Sequence, residues 1–258
     1  GNAGTVSEPH IHNVDIDVLN IEAQIAFATE NAIDLTVIGP EAPLVAGAVD
    51  AFNAAGLRCF GPRKLAAQLE GSKSFTKDFL QRHQIPTAAY KTFTETEPAL
   101  AFAKTRSLPI VIKADGLAAG KGVTICKTQK EIIDTSNEIF KGKFKSSNKL
   151  VLEEFLEGEE ASFFLIVDKK NFKFFGSAQD HKRVGEKDTG PNTGGMGAFS
   201  PAPIIDNKME KKIINKIVIP TLLALRRKKE NYTGFLYVGL MIKNNEPYLI
   251  EYNVRMGD

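Results

Sequence analysis

The chain has 258 residues, 43% of them hydrophobic and 25% charged, with a formal net charge of +2. That length supports one large domain or two ordinary ones with real cores, which excludes a disordered or fibrous chain. The near-balanced charge gives no electrostatic reason for a nucleic-acid or acidic-membrane partner, and no apolar run approaches the length of a membrane span.

Cys59 and Cys126 sit in apolar runs without metal-ligand spacing and read as buried thiols of a cytoplasmic protein. The first residues lack both Met and a signal-peptide pattern, and the sequence stops directly after a strand pattern, so we expect a piece of a longer polypeptide. Oligomeric state has no signature in the sequence.

Residues 1–62 alternate in the α/β manner. The pattern predicts a strand at 14–18, a helix at 20–30, a buried strand at 35–39, a helix at 44–55 closed by Gly56, and a strand at 58–60. Such a parallel sheet binds ligands beyond the carboxyl ends of its strands, where GNAGT (1–5) and GPEAPL (39–44) are candidate loops. Residues 63–150 read as a small α+β lobe: a helix capped by Ser72 and reaching His83, then a strand at 90–93, a helix at 96–104, a glycine hairpin, a helix at 129–140 and a strand at 150–154. From 151 to 258 the strands lengthen, at 159–168, 172–177, 234–242 and 248–254, around a helix at 206–227 kinked or interrupted at Pro220.

Three stretches carry chemistry. IVIKADGLAAGKGVTI (110–125) reads as strand, glycine loop, strand, in which Gly116, Gly120 and Gly122 let backbone N–H groups approach an anion and Lys113 and Lys121 add cations. That suits a polyphosphate; an ordinary hairpin with a solvated tip is the alternative. The glycine and lysine spacing is not that of a Walker loop.

In the last strand, strict alternation turns Tyr248, Ile250, Tyr252 and Val254 to the core and Glu251, Asn253 and Arg255 to a cleft. Glu251 and Asn253 offer the hard oxygens that Mg²⁺ takes when phosphates complete its shell, and Arg255 suits a phosphoryl group or carboxylate. An exposed edge strand would carry the same residues. The third stretch, 178–199, is a long polar loop whose segment 188–197 could wrap a small ligand. Near 153–160, backbone groups of Phe155 and Leu156 suit an adenine edge and Glu160 suits ribose hydroxyls, an acidic β-turn being the alternative.

A lysine before a glycine hairpin, an acidic hinge after the next strand and a terminal Glu-x-Asn-x-Arg strand, in that order, resemble the ATP-grasp superfamily. The stretches AAQLEGSKSFTKDFL, IKADGLAAGKGV, LEEFLEGEEASF, QDHKRV, KDTGPNTGGMGAFSP, TGFLY and IEYNVRMGD together resemble the phosphoribosylamine–glycine ligase (glycinamide ribonucleotide synthetase) family. The resemblance implies an α/β and α+β chain: a partial parallel-sheet N-terminal domain (1–62) followed by an ATP-grasp fold of two lobes (63–150 and 151–258). It implies ATP and Mg²⁺ (or Mn²⁺), and ligation of glycine to 5-phosphoribosylamine through a glycyl phosphate, in purine biosynthesis.

Carried onto this chain, Lys73 and Lys113 meet ATP phosphates and Gly120, Lys121 and Gly122 close over them. Glu153, Phe155, Leu156 and Glu160 hold adenosine, Glu251 and Asn253 hold the metal, and Arg255 and Lys113 attend the reacting groups. Asp188, Thr189, Gly190, Pro191, Asn192, Thr193, Gly194, Gly195 and Met196 line the glycine and acceptor pocket with Arg255, while Gly1, Asn2, Gly4, Glu41 and Pro43 reach the ribose phosphate. The penultimate strand carries no carboxylate, so a second metal ion must lean on Glu251. Rival readings are another ATP-grasp ligase or carboxylase, and an ATP-binding fragment without turnover.

Overall fold

A computed structural model of the chain describes residues 3–118, 122–144, 149–169, 171–181, 183–186, 189–193 and 196–256. Helix α1 (Ile21–Glu30) starts at Asn20, whose side chain accepts from the Ala23 N–H at 3.1 Å. Strand β1 (Thr36–Val37), helices α2 (Glu41–Ala46) and α3 (Ala48–Ala54) and strand β2 (Cys59–Phe60) follow, with β1 and β2 parallel.

Three expectations are corrected here. Residues 14–18 form no strand, because the Ile16 N–H closes on Val14 O at 3.1 Å in a local turn instead of joining a ladder. The strand expected buried at 35–39 is short and open, with Leu35 51% and Val37 55% exposed beside an apolar cavity of about 420 Å³. The helix expected at 44–55 starts earlier and breaks at Gly47, whose φ of 102° is the left-handed conformation that glycine accepts most readily.

Helices α4 (Lys64–Gly71), which the sequence reading did not foresee, and α5 (Lys73–Arg82) meet at Ser72, an extended residue that caps α5 by accepting from the Phe75 N–H at 3.1 Å. Next come β3 (Tyr90–Phe93), α6 (Thr96–Ala103), β4 (Ile110–Ala114), β5 (Val123–Cys126), α7 (Gln129–Phe140) and β6 (Leu150–Glu154). Their strands make an antiparallel sheet of order β3-β6-β4-β5. Ile132 and Ile139 of α7 bury against Ile110, Ile112 and Leu152 of that sheet. Because β6 pairs within it, a lobe boundary at 150/151 would cut the sheet; the chain leaves it after Glu154.

Strands β7 (Glu159–Asp168), β8 (Asn171–Asp180), β9 (Arg183–Gly185), β10 (Thr189–Asn192) and β11 (Ala198–Phe199) precede helices α8 (Asn207–Ile213) and α9 (Ile219–Arg227) and the closing strands β12 (Thr233–Lys243) and β13 (Glu246–Asn253). The second antiparallel sheet has the order β11-β8-β7-β12-β13. The stretch 178–199 is therefore more regular than a long loop: β8 runs on to Asp180, β9 and β10 pair, and β11 returns to β8. A π-helical turn (Ile214–Val218) joins α8 to α9 just before Pro220, so the helix adjusts its bonding around the missing proline N–H and is not interrupted. Its buried row, including Met209, Ile213, Ile217 and Leu225, packs in one core with Phe163, Leu165, Leu236 and Leu240.

The register of β12 with β13 contains a bulge: Gly239 opposes Glu251 and Leu240 opposes Leu249, leaving Ile250 as the extra residue. Strict alternation is thereby corrected. Pro247 and Leu249 are buried before the bulge and Tyr252 and Val254 after it, while Ile250 turns to the cleft beside Glu251 and Asn253. Cys126 is buried and Cys59 half-buried, and burial raises both thiol pKa values, that of Cys59 to about 11. Among the described residues no helix is long and apolar enough to cross a membrane.

Candidate active site

A cavity of about 890 Å³ opens where the loop before α2, helices α4 and α5, strand β4 with its following loop, β6 and β13 meet. From the expected set it gathers Glu41, Lys73, Lys113, Gly122, Glu153, Glu251, Asn253 and Arg255.

Lys73 stands at the first turn of α5, and its Nζ donates to Gly116 O at 3.0 Å, tying the helix to the glycine loop. Asp115 makes a second tie. Its carboxylate accepts from the Ser74 N–H at 3.1 Å, Ser74 Oγ at 2.7 Å, Ser72 Oγ at 3.0 Å and the Gly116 N–H at 3.0 Å. Burial opposes the charged carboxylate, but those bonds outweigh it and hold the pKa of Asp115 below the usual value. Burial, and after it the neighbouring Lys113 cation, lower the pKa of Lys73 against the pull of Glu251, Asp115 and Glu153.

Deeper in the wall, Glu153 lies between two lysines. Its Oε2 is 2.8 Å from Lys77 Nζ and its Oε1 3.1 Å from Lys113 Nζ, with side-chain exposures of 5%, 3% and 6% respectively. The second contact is an ion pair by distance without an aligned hydrogen bond. Lys77 also donates to Thr87 Oγ1 at 2.7 Å, Thr87 donates to Leu249 O at 2.7 Å, and Lys113 reaches Ile250 O at 3.4 Å. This cluster links α5, the four-stranded sheet and β13. Burial lowers the pKa of Lys77, with Glu153 acting in the opposite sense. The Glu153 carboxylate is thus paired with both lysines in the cavity wall.

On β13, the side chain of Glu251 lies across Gly239: a Cβ there would stand 3.2 Å from Glu251 Cγ. Arg255 Nε sits 3.5 Å from Glu41 Oε2 and 3.4 Å from Glu70 Oε1, ion pairs without an aligned hydrogen bond, while its Nη1 donates to Met256 O at 3.0 Å. Glu70 accepts from the Val254 N–H at 2.7 Å. Burial raises the pKa of Glu70, against the Val254 N–H and Arg255.

Among the described residues no group of three or more His, Cys, Asp or Glu gathers as a metal cage. One carboxylate and one amide oxygen, from Glu251 and Asn253 on a cavity-lining strand, fit a hard cation that keeps most of its shell for phosphate oxygens and water, as Mg²⁺ and Mn²⁺ do in phosphate sites.

Other expected residues lie elsewhere. Leu156 is buried and Phe155 half-buried, and neither lines the cavity; Glu160 lines a separate space of about 50 Å³ with Asp180, Ser162 and Glu251. Pro43 is buried in α2 and borders the N-terminal apolar cavity, and Gly4 belongs to an exposed turn. Thr189, Gly190, Pro191 and Asn192 form β10, Thr193 donates to His181 O, and Met196 is 93% exposed. Gly1, Asn2, Gly120, Lys121, Asp188, Gly194 and Gly195 lie outside the described residues.

The sequence reading missed Lys77, Glu70, Thr87 and Asp115. Lys77 was open to discovery, since it follows Lys73 by four residues on one helix and so shares its face. Glu70 gave no signal, because its backbone partner Val254 is 184 positions away.

Two family models match this chain: the phosphoribosylglycinamide synthetase N domain over residues 1–70 and the phosphoribosylglycinamide synthetase ATP-grasp (A) domain over residues 71–258. The phosphoribosylamine–glycine ligase of Vibrio parahaemolyticus is 56% identical across the whole chain, which spans 61% of that relative's length. The crystal structure of the Thermotoga maritima phosphoribosylamine–glycine ligase aligns with a TM-score of 0.82 at 36% identity, covering 100% of this chain and 62% of that one. The biotin carboxylase domain of Hydrogenobacter thermophilus 2-oxoglutarate carboxylase shares the fold, with a TM-score of 0.71 at 19% identity over 93% of this chain and 52% of that one. The chain therefore has an ATP-grasp fold and belongs to the phosphoribosylglycinamide synthetase family.

Proposed function

We propose that the intact gene product joins glycine to 5-phosphoribosylamine using ATP, giving glycinamide ribonucleotide, ADP and phosphate in the purine pathway. The observation that carries this reading is the convergence of Lys73, Lys113, Glu251, Asn253 and Arg255 on one cavity of about 890 Å³.

A free carboxylate is a poor electrophile, so the reaction needs an activated acyl group. A glycine carboxylate oxygen attacks the γ-phosphorus, the bond to the β-phosphate oxygen breaks, and ADP leaves. The amine nitrogen of phosphoribosylamine then attacks the glycyl carbonyl carbon, phosphate departs with the former carboxylate oxygen, and the nitrogen releases a proton to solvent. Neither step asks for a side-chain nucleophile; both ask for charge neutralisation on the transferring oxygens and exclusion of water.

Lys73 and Lys113 hold the phosphates, with Lys113 and Arg255 also facing the transferring group. A Mg²⁺ or Mn²⁺ ion held by Glu251 and Asn253 would supply further charge neutralisation at the phosphates. The glycine loop, with Gly120, Lys121 and Gly122, closes over the phosphates and keeps out water. Phe155, Leu156 and Glu160 serve adenosine, the 188–196 segment serves glycine and the acceptor, and the loops at Gly1–Gly4 and Glu41–Pro43 serve the ribose phosphate. We take the lobe boundary to follow β6, and the setting to be the cytoplasm.

The test is ADP release by the intact gene product in Mg-ATP, with glycine and freshly generated phosphoribosylamine supplied together and each omitted in turn. Release that requires both supports the ligase. Release indifferent to glycine overturns the substrate assignment, and ATP binding without ADP release favours a silent nucleotide-binding module.

A further inference from the structure

Asn253 carries an amide whose two ends are chemically opposite: only its oxygen can ligate a cation. One end of that amide faces two acceptors, Tyr252 O at 3.1 Å and Glu70 Oε1 at 3.3 Å, so the NH₂ group belongs there and donates to both. The oxygen is then directed away from Glu70. The same carboxylate accepts the Val254 N–H at 2.7 Å and lies 3.4 Å from Arg255 Nε. Three consecutive residues at the end of β13 are thus held by one side chain from the last turn of α4, a different part of the chain.

We infer that Glu70 is the positioning residue that fixes the amide of Asn253 with its oxygen toward the cation, and so sets metal affinity without touching the metal. This rests on the proposed metal role of Glu251 and Asn253. The physical reason is polarity: Glu70 Oε1 and Tyr252 O can both only accept, and with both present the amide has one satisfied orientation. In Glu70→Gln the size is kept, but the glutamine oxygen can still take the Val254 N–H while its NH₂ meets Asn253. Gln NH₂ and Tyr252 O then ask opposite things of the same end of the Asn253 amide, so no orientation satisfies both and its oxygen is no longer held toward the cation site. Adding Asn253→Asp gives the Gln NH₂ an acceptor and, because the two carboxylate oxygens are equivalent, leaves a ligand oxygen for the metal whichever way the group turns.

The experiment is Mn²⁺ binding to the intact gene product at fixed ADP, read by electron paramagnetic resonance of protein-bound Mn²⁺, for the wild type, Glu70→Gln, Glu70→Gln/Asn253→Asp and Glu251→Ala. Glu70→Gln is expected to weaken Mn²⁺ binding about 10- to 100-fold, in the range of other orienting partners of metal ligands, and the double variant to recover most of that loss. Wild-type binding by Glu70→Gln with loss in Glu251→Ala overturns the inference and spares the metal site. Unchanged binding in Glu251→Ala overturns the metal site itself. Weakening in Glu70→Gln without recovery in the double variant assigns Glu70 a purely structural role and also overturns the inference. If Glu70→Gln alone fails to fold, the double variant decides: near-wild-type binding supports the inference and loss overturns it.

Discussion

Replacing Glu153 with Gln leaves two buried lysines, Lys77 and Lys113, without the carboxylate they share. The net charge of the cluster rises from one positive to two. Lys77→Met instead leaves a neutral Lys113–Glu153 pair and takes a donor from Glu153 Oε2 and Thr87 Oγ1, which still donates to Leu249 O. Breaking a buried pair typically costs about 3–5 kcal/mol, while leaving a buried polar group without its partner costs about 1–3 kcal/mol. Glu153→Gln should therefore destabilise more than Lys77→Met.

A limit on the larger cost comes from Lys77, whose pKa burial already lowers against the pull of Glu153: removing Glu153 lowers it further, so loss of its proton caps the cost of the unpaired charge. That places Glu153→Gln near about 3 kcal/mol at neutral pH, the lower end of the range for a broken buried pair. Between the folded variant's Lys77 pKa and the wild type's, itself lowered but less so, the folded variant binds fewer protons than the folded wild type, so its stability deficit shrinks as pH rises through that window. Urea unfolding of both variants at neutral and alkaline pH measures this. An ordering with Lys77→Met the more damaging, or a deficit for Glu153→Gln that grows with pH, would refute the reasoning.

Three further outcomes follow from the site. Lys73 binds phosphate best when charged and its pKa is lowered, so ADP affinity should fall as pH rises through a midpoint below the ordinary lysine value; Lys73→Arg, which stays charged, should move that loss to higher pH in a fluorescence titration. Gly239→Val should weaken Mn²⁺ binding more than it lowers stability, because its Cβ would crowd Glu251 Cγ at 3.2 Å, and unchanged Mn²⁺ binding would count against that packing. Asp115→Ala should cost about 1–3 kcal/mol by removing the acceptor shared by the Ser72 and Ser74 hydroxyls and the Ser74 N–H at the start of α5. Hydrogen exchange should then rise at the first turn of α5 and at Gly116, and unchanged protection would contradict the tie.

Periodicity made much of the fold legible, because α7, β6 and β7 each satisfy their pattern within one segment. What failed was structure that depends on distant partners. Residues 14–18 have strand composition, yet their backbone closes in a local turn. The bulge at Ile250 is set by the pairing of β13 with β12, so alternation misassigned Tyr248 and Ile250 while Glu251 and Asn253 still reached the cavity. The cations and oxygens of the candidate site were readable as local motifs. Their orienting partners were not, since Glu70 and Thr87 meet β13 only through the tertiary fold.

The most direct test of the central claim follows oxygen. Glycine labelled with ¹⁸O in its carboxylate is turned over by the intact gene product with ATP and phosphoribosylamine, and the inorganic phosphate is examined by mass spectrometry. A glycyl phosphate requires one labelled oxygen in each phosphate released with glycinamide ribonucleotide. Product formed with unlabelled phosphate would contradict the account.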